Sequence, residues 1–169
     1  MHPRIVIDYT RCTGCQACVL SCALSHGQSI RTSASAIQIA SSEDEGIHVP
    51  LLCIACAERS CIDACPEGAI RLDNYLGIPL IDRDRCIGCR ACLSACPYAG
   101  IHFDDTVGRP VVCDLCGGDP LCVKVCSGER GMPGALTLRI AEEDHEAKHT
   151  ATADRIQVYH HITKDGTTS

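Results

Sequence analysis

Cysteine is the residue type in this sequence whose number and spacing could support chemistry. Sixteen of the 169 residues are cysteine, and they fall into four groups of four with none left over. The first and third groups are spaced C-x2-C-x2-C-x3-C, the second C-x2-C-x4-C-x3-C and the fourth C-x2-C-x5-C-x3-C. Since every thiol belongs to a quartet, none remains as a catalytic nucleophile. In chain order the groups are Cys12, Cys15, Cys18, Cys22; Cys53, Cys56, Cys61, Cys65; Cys86, Cys89, Cys92, Cys96; and Cys113, Cys116, Cys122, Cys126.

The closely spaced triplets favour iron-sulfur clusters over zinc. Three thiolates on one loop can bind three corners of a [4Fe-4S] cubane, while the fourth cysteine, displaced along the chain, reaches a different cluster. Zinc sites with four cysteine ligands usually take two cysteines from each of two separated units, which does not explain a triplet. The spacing therefore predicts four [4Fe-4S] clusters whose iron is bound by all sixteen cysteines, with zinc as the alternative.

An internal repeat and two prolines bear on which groups share clusters. Residues 7–22 align without gaps on residues 81–96. Cys65 and Cys96 are each followed by proline, as in two-cluster ferredoxin motifs, whereas Cys22 and Cys126 are not. We therefore favour a nested pairing, in which groups two and three exchange their fourth cysteines and groups one and four do the same. The duplication by itself suggests the competing scheme, which pairs group one with two and group three with four.

The nested scheme defines four ligand sets, which we name sites 1 to 4. Site 1 is Cys12, Cys15, Cys18 and Cys126; site 2 is Cys53, Cys56, Cys61 and Cys96; site 3 is Cys86, Cys89, Cys92 and Cys65; site 4 is Cys113, Cys116, Cys122 and Cys22.

Short strands and helices must position these loops. Each fourth cysteine is expected to open or lie on a short helix, and residues 24–49 read as a loop with one strand at Ala36–Ile39. The predicted fold class is α+β: two interleaved bacterial-ferredoxin-like modules organised around four [4Fe-4S] clusters. The other predicted strands are Ile5–Asp8, Ile70–Leu72, Ile78–Ile81, Ile101–Phe103, Pro110–Val112 and Leu136–Ile140.

The chain divides into a body and a tail. Residues 1–140 are predicted to form the four-cluster body, with an inner module of about 50–110 and an outer module from about 1–49 and 111–140. Residues 141–169 form a C-terminal extension in which Ile156, Val158 and Ile162 show strand alternation. We expect either an interaction arm that pairs with a partner or another copy, or a strand on the chain's own body.

Charge and motifs exclude several functions. Fifteen Lys and Arg against 21 Asp and Glu give a net charge of −6, which disfavours nucleic acid and anionic membranes as partners. No apolar run reaches the length of a membrane span, and the start shows no secretion signal, so a cytoplasmic location is expected. Nucleotide-binding and H-E-x-x-H motifs are absent. Arg11, Arg85 and Arg90 lie inside the cysteine motifs, where they either offset cluster charge or simply aid solubility.

The layout from Cys12 to Cys126 resembles the four-cluster iron-sulfur subunits of molybdenum and tungsten oxidoreductases, hydrogenases and carbon monoxide dehydrogenases. The resemblance implies the nested pairing and a non-catalytic electron-transfer subunit. The segment from Cys113 to Pro120 is most similar to the small subunit of tungsten-dependent aldehyde oxidoreductases. One departure is the insertion Ser127–Met132 before Pro133-Gly134-Ala135.

That resemblance implies a catalytic partner with a tungsten or molybdenum cofactor. Low-potential electrons would pass from it through this chain to a further redox partner, for example a flavin subunit. The alternatives are a subunit of a carbon monoxide dehydrogenase, a formate dehydrogenase or a hydrogenase, or a free polyferredoxin. Head-to-tail self-association is an additional hypothesis.

Overall fold

Eight short strands form four separate two-stranded antiparallel ribbons in the computed structural model, which describes residues 2–27, 30–126, 134–140 and 145–164. Three ribbons are local hairpins, and the fourth joins the first and last strands of the body. The ribbons are β1 (Pro3–Ile7) with β8 (Leu136–Ile140), β2 (Gln38–Ser42) with β3 (Ile47–Leu51), β4 (Ile70–Asp73) with β5 (Ile78–Ile81), and β6 (Ile101–Asp104) with β7 (Arg109–Val112).

The predicted strands are confirmed, with boundaries within a few residues, and one strand was missed. The interval expected to hold a single strand contains the β2–β3 hairpin, so β3 was not foreseen. Its sequence, Ile47-His48-Val49-Pro50-Leu51, contains a proline, which weakens the strand pattern. The mixed α/β character with short elements is confirmed.

Four helices follow one rule that the sequence did not suggest. The third cysteine of each group, Cys18, Cys61, Cys92 or Cys122, is the second residue of a helix and is buried. These helices are α1 (Ala17–Gly27), α2 (Ser60–Asp63), α3 (Ala91–Ala95) and α4 (Leu121–Cys126).

The prediction for the fourth cysteines is wrong at two positions. Cys22 and Cys126 lie on α1 and α4, but Cys65 and Cys96 come after α2 and α3 have ended. Both of these cysteines precede a proline, and the residue before a proline is disfavoured in helical conformation. The same prolines that suggested the pairing therefore end the helices early.

The core is built around the cysteines themselves. The largest buried cluster combines Cys18, Cys22, Cys113 and Cys122 with aliphatic residues of the β1–β8 ribbon, of β5 and of α1. A second cluster contains Cys61 and Cys92 with residues of β4 and β6. Aromatic residues make up only 3% of the chain, so the interior depends on the cysteine sites for its packing.

The described part of the tail, residues 145–164, is a helix, and the strand predicted there is wrong. Helix α5 (His145–Lys164) packs across β2 and β3. Its inward face carries Arg155, Val158, Tyr159 and Ile162, which are spaced at i, i+3, i+4 and i+7. The alternation of Ile156, Val158 and Ile162 does not indicate a strand, because the buried arginine interrupts the apolar pattern of this helical face.

Two further segments lie outside the described residues. They are the insertion at 127–132 and residues 141–144 at the start of the tail. None of the helices in the described ranges combines the length and the apolar character that crossing a bilayer requires.

Candidate metal centres

Three hollows in the body are each lined by four cysteines. One contains Cys12, Cys15, Cys18 and Cys126; another Cys53, Cys56, Cys61 and Cys96; and the third Cys65, Cys86, Cys89 and Cys92. The structure thus brings together the cysteines that we assigned to sites 1, 2 and 3.

The remaining four cysteines meet where α1 packs against α4. Cys22 lies close enough to Cys116 and Cys122 for their thiolate charges to repel, and Cys113 is similarly close to Cys122 and Cys22. Cys22, Cys113 and Cys122 belong to one buried cluster. This is the set assigned to site 4, and it links the beginning of the body to its end.

Every fourth cysteine accepts a hydrogen bond from a backbone amide further along the chain. The donors are Ala36 N to Cys22 Sγ at 3.3 Å, Ala69 N to Cys65 Sγ at 3.2 Å, Gly100 N to Cys96 Sγ at 3.3 Å, and Ala135 N to Cys126 Sγ at 3.2 Å. An amide that donates to sulfur stabilises the thiolate form over the thiol. At all four sites, therefore, one backbone N–H stabilises the thiolate of the fourth cysteine.

Two glycines bend the loops of the repeated motif. Gly14 and Gly88 have φ of +68° and +71°, in the left-handed region that favours glycine. A Cβ on Gly14 would lie 2.7 Å from the His48 ring, and a Cβ on Gly88 would lie 2.6 Å from the Gly108 carbonyl oxygen. Both positions therefore require glycine, for the backbone conformation and for the close approach of a neighbouring group.

The donor set suits a strongly cationic group. Burial, reinforced by neighbouring thiolates, raises the pKa of Cys18, Cys113 and Cys122 to about 12 and that of Cys61 to about 11. Thiols with such pKa values stay protonated at neutral pH unless a positive charge compensates the thiolate. Metal ligation does this, since it displaces the proton.

The spacing of the thiols fits a cubane better than a zinc ion. Four thiolates around one zinc at about 2.3 Å would lie about 3.8 Å from each other. Among the described residues, three metal-binding side chains have ligand atoms that all lie within 4.8 Å of one another: His26, Asp114 and Cys116. The four sulfur atoms of each described cysteine quartet are not packed this closely. In a [4Fe-4S] cluster each thiolate binds a different iron, which spreads the sulfur atoms apart.

Cysteines of different sites that lie close enough to interact electrostatically show which sites are neighbours. Cys122 of site 4 lies close to Cys18 of site 1, and Cys53 of site 2 lies close to Cys113 of site 4. Cys61 of site 2 in turn interacts with Cys92 of site 3. The order through the molecule is therefore 1, 4, 2, 3, although the sequence presents the groups in a different order.

The two ends of this line are the most open to solvent. Of the sixteen cysteines only Cys15 and Cys89 are exposed, one at site 1 and the other at site 3. They are the second cysteines of the two repeated motifs and occupy equivalent positions in the repeat. Site 4 and site 2, in the middle of the line, have no exposed cysteine.

The arginines that the sequence singled out are exposed and paired with other groups. Arg11 forms an ion pair with Asp8 at 3.1 Å, and Arg90 pairs with Asp105. Arg85 Nη2 donates to a backbone carbonyl at 2.6 Å. An exposed, paired arginine contributes little to the potential inside a site. Arg155 on α5, in contrast, is buried, and it precedes the residues in which the sequence predicts strand alternation.

The family of the chain follows from comparison with known proteins. A family model described as a 4Fe-4S dicluster domain matches residues 45–135, and a second model of the same description matches residues 4–66. The first match covers more than half of the chain. The protein therefore belongs to the 4Fe-4S dicluster family, and its cysteine sites are of the iron-sulfur type.

Individual relatives refine this picture. The polyferredoxin-like subunit of an aliphatic sulfonate oxidoreductase from Pyrococcus furiosus is 33% identical over 161 residues, covering 95% of this chain and 84% of the relative. The thiosulfate reductase electron transfer subunit PhsB of Salmonella typhi is 33% identical, covering 70% and 68%. Of four other curated relatives, the chain spans between 28% and 50% of the length. A solved chain of the active site complex BamBC of benzoyl coenzyme A reductase matches with a TM-score of 0.47 and 23% identity, covering 96% and 98%.

Proposed function

We propose that this chain is a non-catalytic electron-transfer subunit of an oxidoreductase complex, and that sites 1 to 4 each hold one [4Fe-4S] cluster. The observation that carries the proposal is the line of four cysteine sets, ending at an exposed cysteine on each side. The 33% identity to a polyferredoxin-like subunit over 95% of the chain supports it.

When bound, each cluster would accept and release a single electron. Four cysteine ligands leave no open coordination position for a substrate, so the chain would act as a relay. The protein's own contribution is to exclude water from the buried sulfurs, to donate one backbone N–H to each fourth cysteine, and to keep neighbouring sites close.

The two end sites would have different partners. Cys15 at site 1 and Cys89 at site 3 are the exposed ligands, so one end would accept electrons from a catalytic subunit and the other would deliver them to a further redox partner. With both ends open, head-to-tail contact between copies would also allow exchange from chain to chain. This self-association, like the flavin subunit as downstream partner, is part of the proposal.

Two kinds of catalytic partner are proposed. The similarity noted for residues 113–120 favours a tungsten or molybdenum enzyme that oxidises aldehydes and delivers low-potential electrons. The relative from Pyrococcus furiosus belongs to an aliphatic sulfonate oxidoreductase, and by analogy the substrate of the partner here would be an aliphatic sulfonate. Both partners would act in the cytoplasm.

Analysis of the native complex tests both levels of the proposal. The complex is purified without oxygen from its own host, and its metals are measured by mass spectrometry. About sixteen irons per chain are expected, together with tungsten or molybdenum in the catalytic subunit. About four zincs and no iron would contradict the relay altogether.

Substrate-dependent reduction then separates the partners. The complex is mixed with an aldehyde or with an aliphatic sulfonate, and bleaching of the iron-sulfur absorbance is followed. Bleaching by the aldehyde alone supports the aldehyde oxidoreductase, and bleaching by the sulfonate alone supports the second candidate. If neither reduces the clusters while carbon monoxide, formate or hydrogen does, the partner belongs to one of those oxidoreductases.

A further inference from the structure

Helix α5 carries a fully buried positive charge into the body. The Arg155 side chain is 1% exposed, and its Nη1 donates a hydrogen bond to the Pro50 carbonyl oxygen at 3.3 Å. Its other two nitrogens, Nε and Nη2, are also buried, and neither has a hydrogen-bond partner in the described part of the chain. Burying a guanidinium is costly unless an anionic group lies nearby.

Packing places this face of α5 next to the surroundings of site 2, because Ala99, three residues after Cys96, packs against the same cluster as Val158, Tyr159 and Ile162. Burial lowers the pKa of Arg155 to about 10, while the nearby Cys96 and Tyr98, when ionised, act in the opposite direction. The guanidinium therefore stays protonated at neutral pH. Cys96 is the fourth cysteine of the hollow that Cys53, Cys56 and Cys61 line, and Tyr98 lines the same hollow.

Apolar packing fixes where this charge lies. Ile162, two turns along α5 on the same face, is 1% exposed and packs with Val49 and Leu51 of β3. His161 contacts Glu45 at 3.1 Å, which ties the helix to the β2–β3 turn. Docking of the whole helix therefore fixes the position of the Arg155 guanidinium.

We propose that Arg155 is a positioning residue for the cluster at site 2: its buried guanidinium places a fixed positive charge beside Cys96 and raises the reduction potential of that cluster. The inference rests on the proposed function, because it requires a cluster in this hollow. Reduction adds one electron, so a neighbouring positive charge stabilises the reduced cluster more than the oxidised one.

Two arginines that line the cysteine hollows differ from Arg155 because they are exposed. Arg59 lines the hollow of site 2 itself, but it lies at the surface, where water screens its charge. Arg11 lines the hollow of site 1, but its side chain is 63% exposed and it pairs with Asp8. Water and the paired carboxylate screen its charge. Arg155 is shielded from solvent, so its charge acts through protein of low dielectric constant. Site 2 lies inside the line of four sites, where its potential affects every electron that crosses the chain.

The test compares variants that remove the charge with one that keeps it, in the full-length protein purified without oxygen. Arg155→Met removes the charge and keeps the apolar stem, and Arg155→Lys keeps a positive charge. Arg11→Met is the matched control, since it removes an exposed arginine beside another site. Iron content is measured for each protein, and the clusters are titrated against ambient potential while their EPR signals are recorded.

Arg155→Met is expected to lower the ratio of reduced to oxidised cluster about tenfold at a given potential, a shift of about 59 mV for a one-electron couple. The shift should affect one of the four clusters. Arg155→Lys is expected to stay within about twofold of the native ratio, and Arg11→Met to change it by less than about twofold. Loss of about four irons in Arg155→Met but not in Arg155→Lys would also support the proposal.

Several outcomes would overturn it. An unshifted titration in an Arg155→Met protein that keeps all its iron would do so, because the charge would then have no influence on site 2. Equal shifts or equal iron losses in the methionine and lysine variants would do so as well, since packing and not charge would be responsible. Failure of the proposed function would look different from failure of this inference, because the native protein itself would then lack iron.

Discussion

The same kind of hydrogen bond occurs at all four sites, although the number of residues between its donor and its acceptor differs widely. The amide that donates to the fourth cysteine comes four residues later at Cys65 and Cys96, nine later at Cys126 and fourteen later at Cys22. The insertion after Cys126 therefore leaves this bond in place. Residue spacing alone would not suggest that Ala36 and Ala135 have the same role as Ala69.

At residue scale, the equivalent donors tolerate substitution differently. Gly100 occupies the position that Ala69 has in the second motif, which suggests that Gly100→Ala is harmless. However, a Cβ there would lie 2.8 Å from the Cys53 Cα and 2.9 Å from the Leu52 carbonyl oxygen. We predict that Gly100→Ala pushes the backbone at Gly100 away from the backbone at Cys53 and lowers the iron content by about four atoms per chain, as measured by mass spectrometry.

The matched control is Gly108→Ala. Gly108 has φ of +65°, but a Cβ there has no atom within 4 Å. The variant is expected to lose about 1–2 kcal/mol of stability through backbone strain alone and to keep its iron. If both alanine variants retained all their iron, the close approach at Gly100 would not matter for the site.

Serine substitutions of single cysteines distinguish the nested pairing scheme from the competing one. In the nested scheme Cys65→Ser and Cys89→Ser alter the same cluster, while Cys96→Ser alters a different one. The EPR spectra of the reduced variants are expected to show one common changed signal for the first two proteins. In the competing scheme Cys89→Ser would instead share its changed signal with Cys126→Ser.

At the scale of elements, the tail illustrates how a helix can be mistaken for a strand. Helix α5 presents Val158, Tyr159 and Ile162 to the β2–β3 hairpin, and the buried Arg155 completes the same face. The apolar content of that face is low, so periodicity in the sequence is weak. What holds the helix is the docking site on the body, which the sequence of the tail does not reveal.

The docking of this helix leads to a prediction about stability. Ile162→Ala leaves a cavity between Val49 and Leu51, and it is expected to lower the free energy of docking by about 2–4 kcal/mol. Hydrogen exchange of the α5 amides should then accelerate, while the α1 amides stay protected. The exposed Gln157→Ala is the control and should change little. Equal exchange in native and Ile162→Ala proteins would contradict tight docking.

At the scale of the whole molecule, charge influences how electrons enter. The chain has a net charge of −6, and four oxidised clusters with four thiolates each would add about −8. We predict that a dicationic viologen exchanges electrons with the clusters faster at an ionic strength of about 0.01 M than at about 0.15 M. Stopped-flow absorbance measures this rate. An anionic mediator should show the opposite trend, and identical salt dependence for both would contradict the prediction.

The linear order of sites is likewise a property of the whole molecule. The first and last strands pair from Pro3 with Ile140 to Ile7 with Leu136, and this ribbon joins the two ends of the body. Cys22 and Cys126 are thereby brought to sites whose other three cysteines lie about a hundred residues away in the sequence. The closure brings groups one and four together, as the nested pairing of these two groups requires.

The sequence by itself determined the local chemistry: sixteen cysteines in four loops, the glycines that bend two of those loops, and the strands that flank them. These features depend on neighbours a few residues apart, so spacing and residue type are sufficient. The tertiary structure decided the order of the sites, the amide donors to Cys22 and Cys126, and the burial of Arg155 beside Cys96. Each of these joins residues that are distant in sequence, and such contacts are set by packing of the whole chain, which local patterns do not encode.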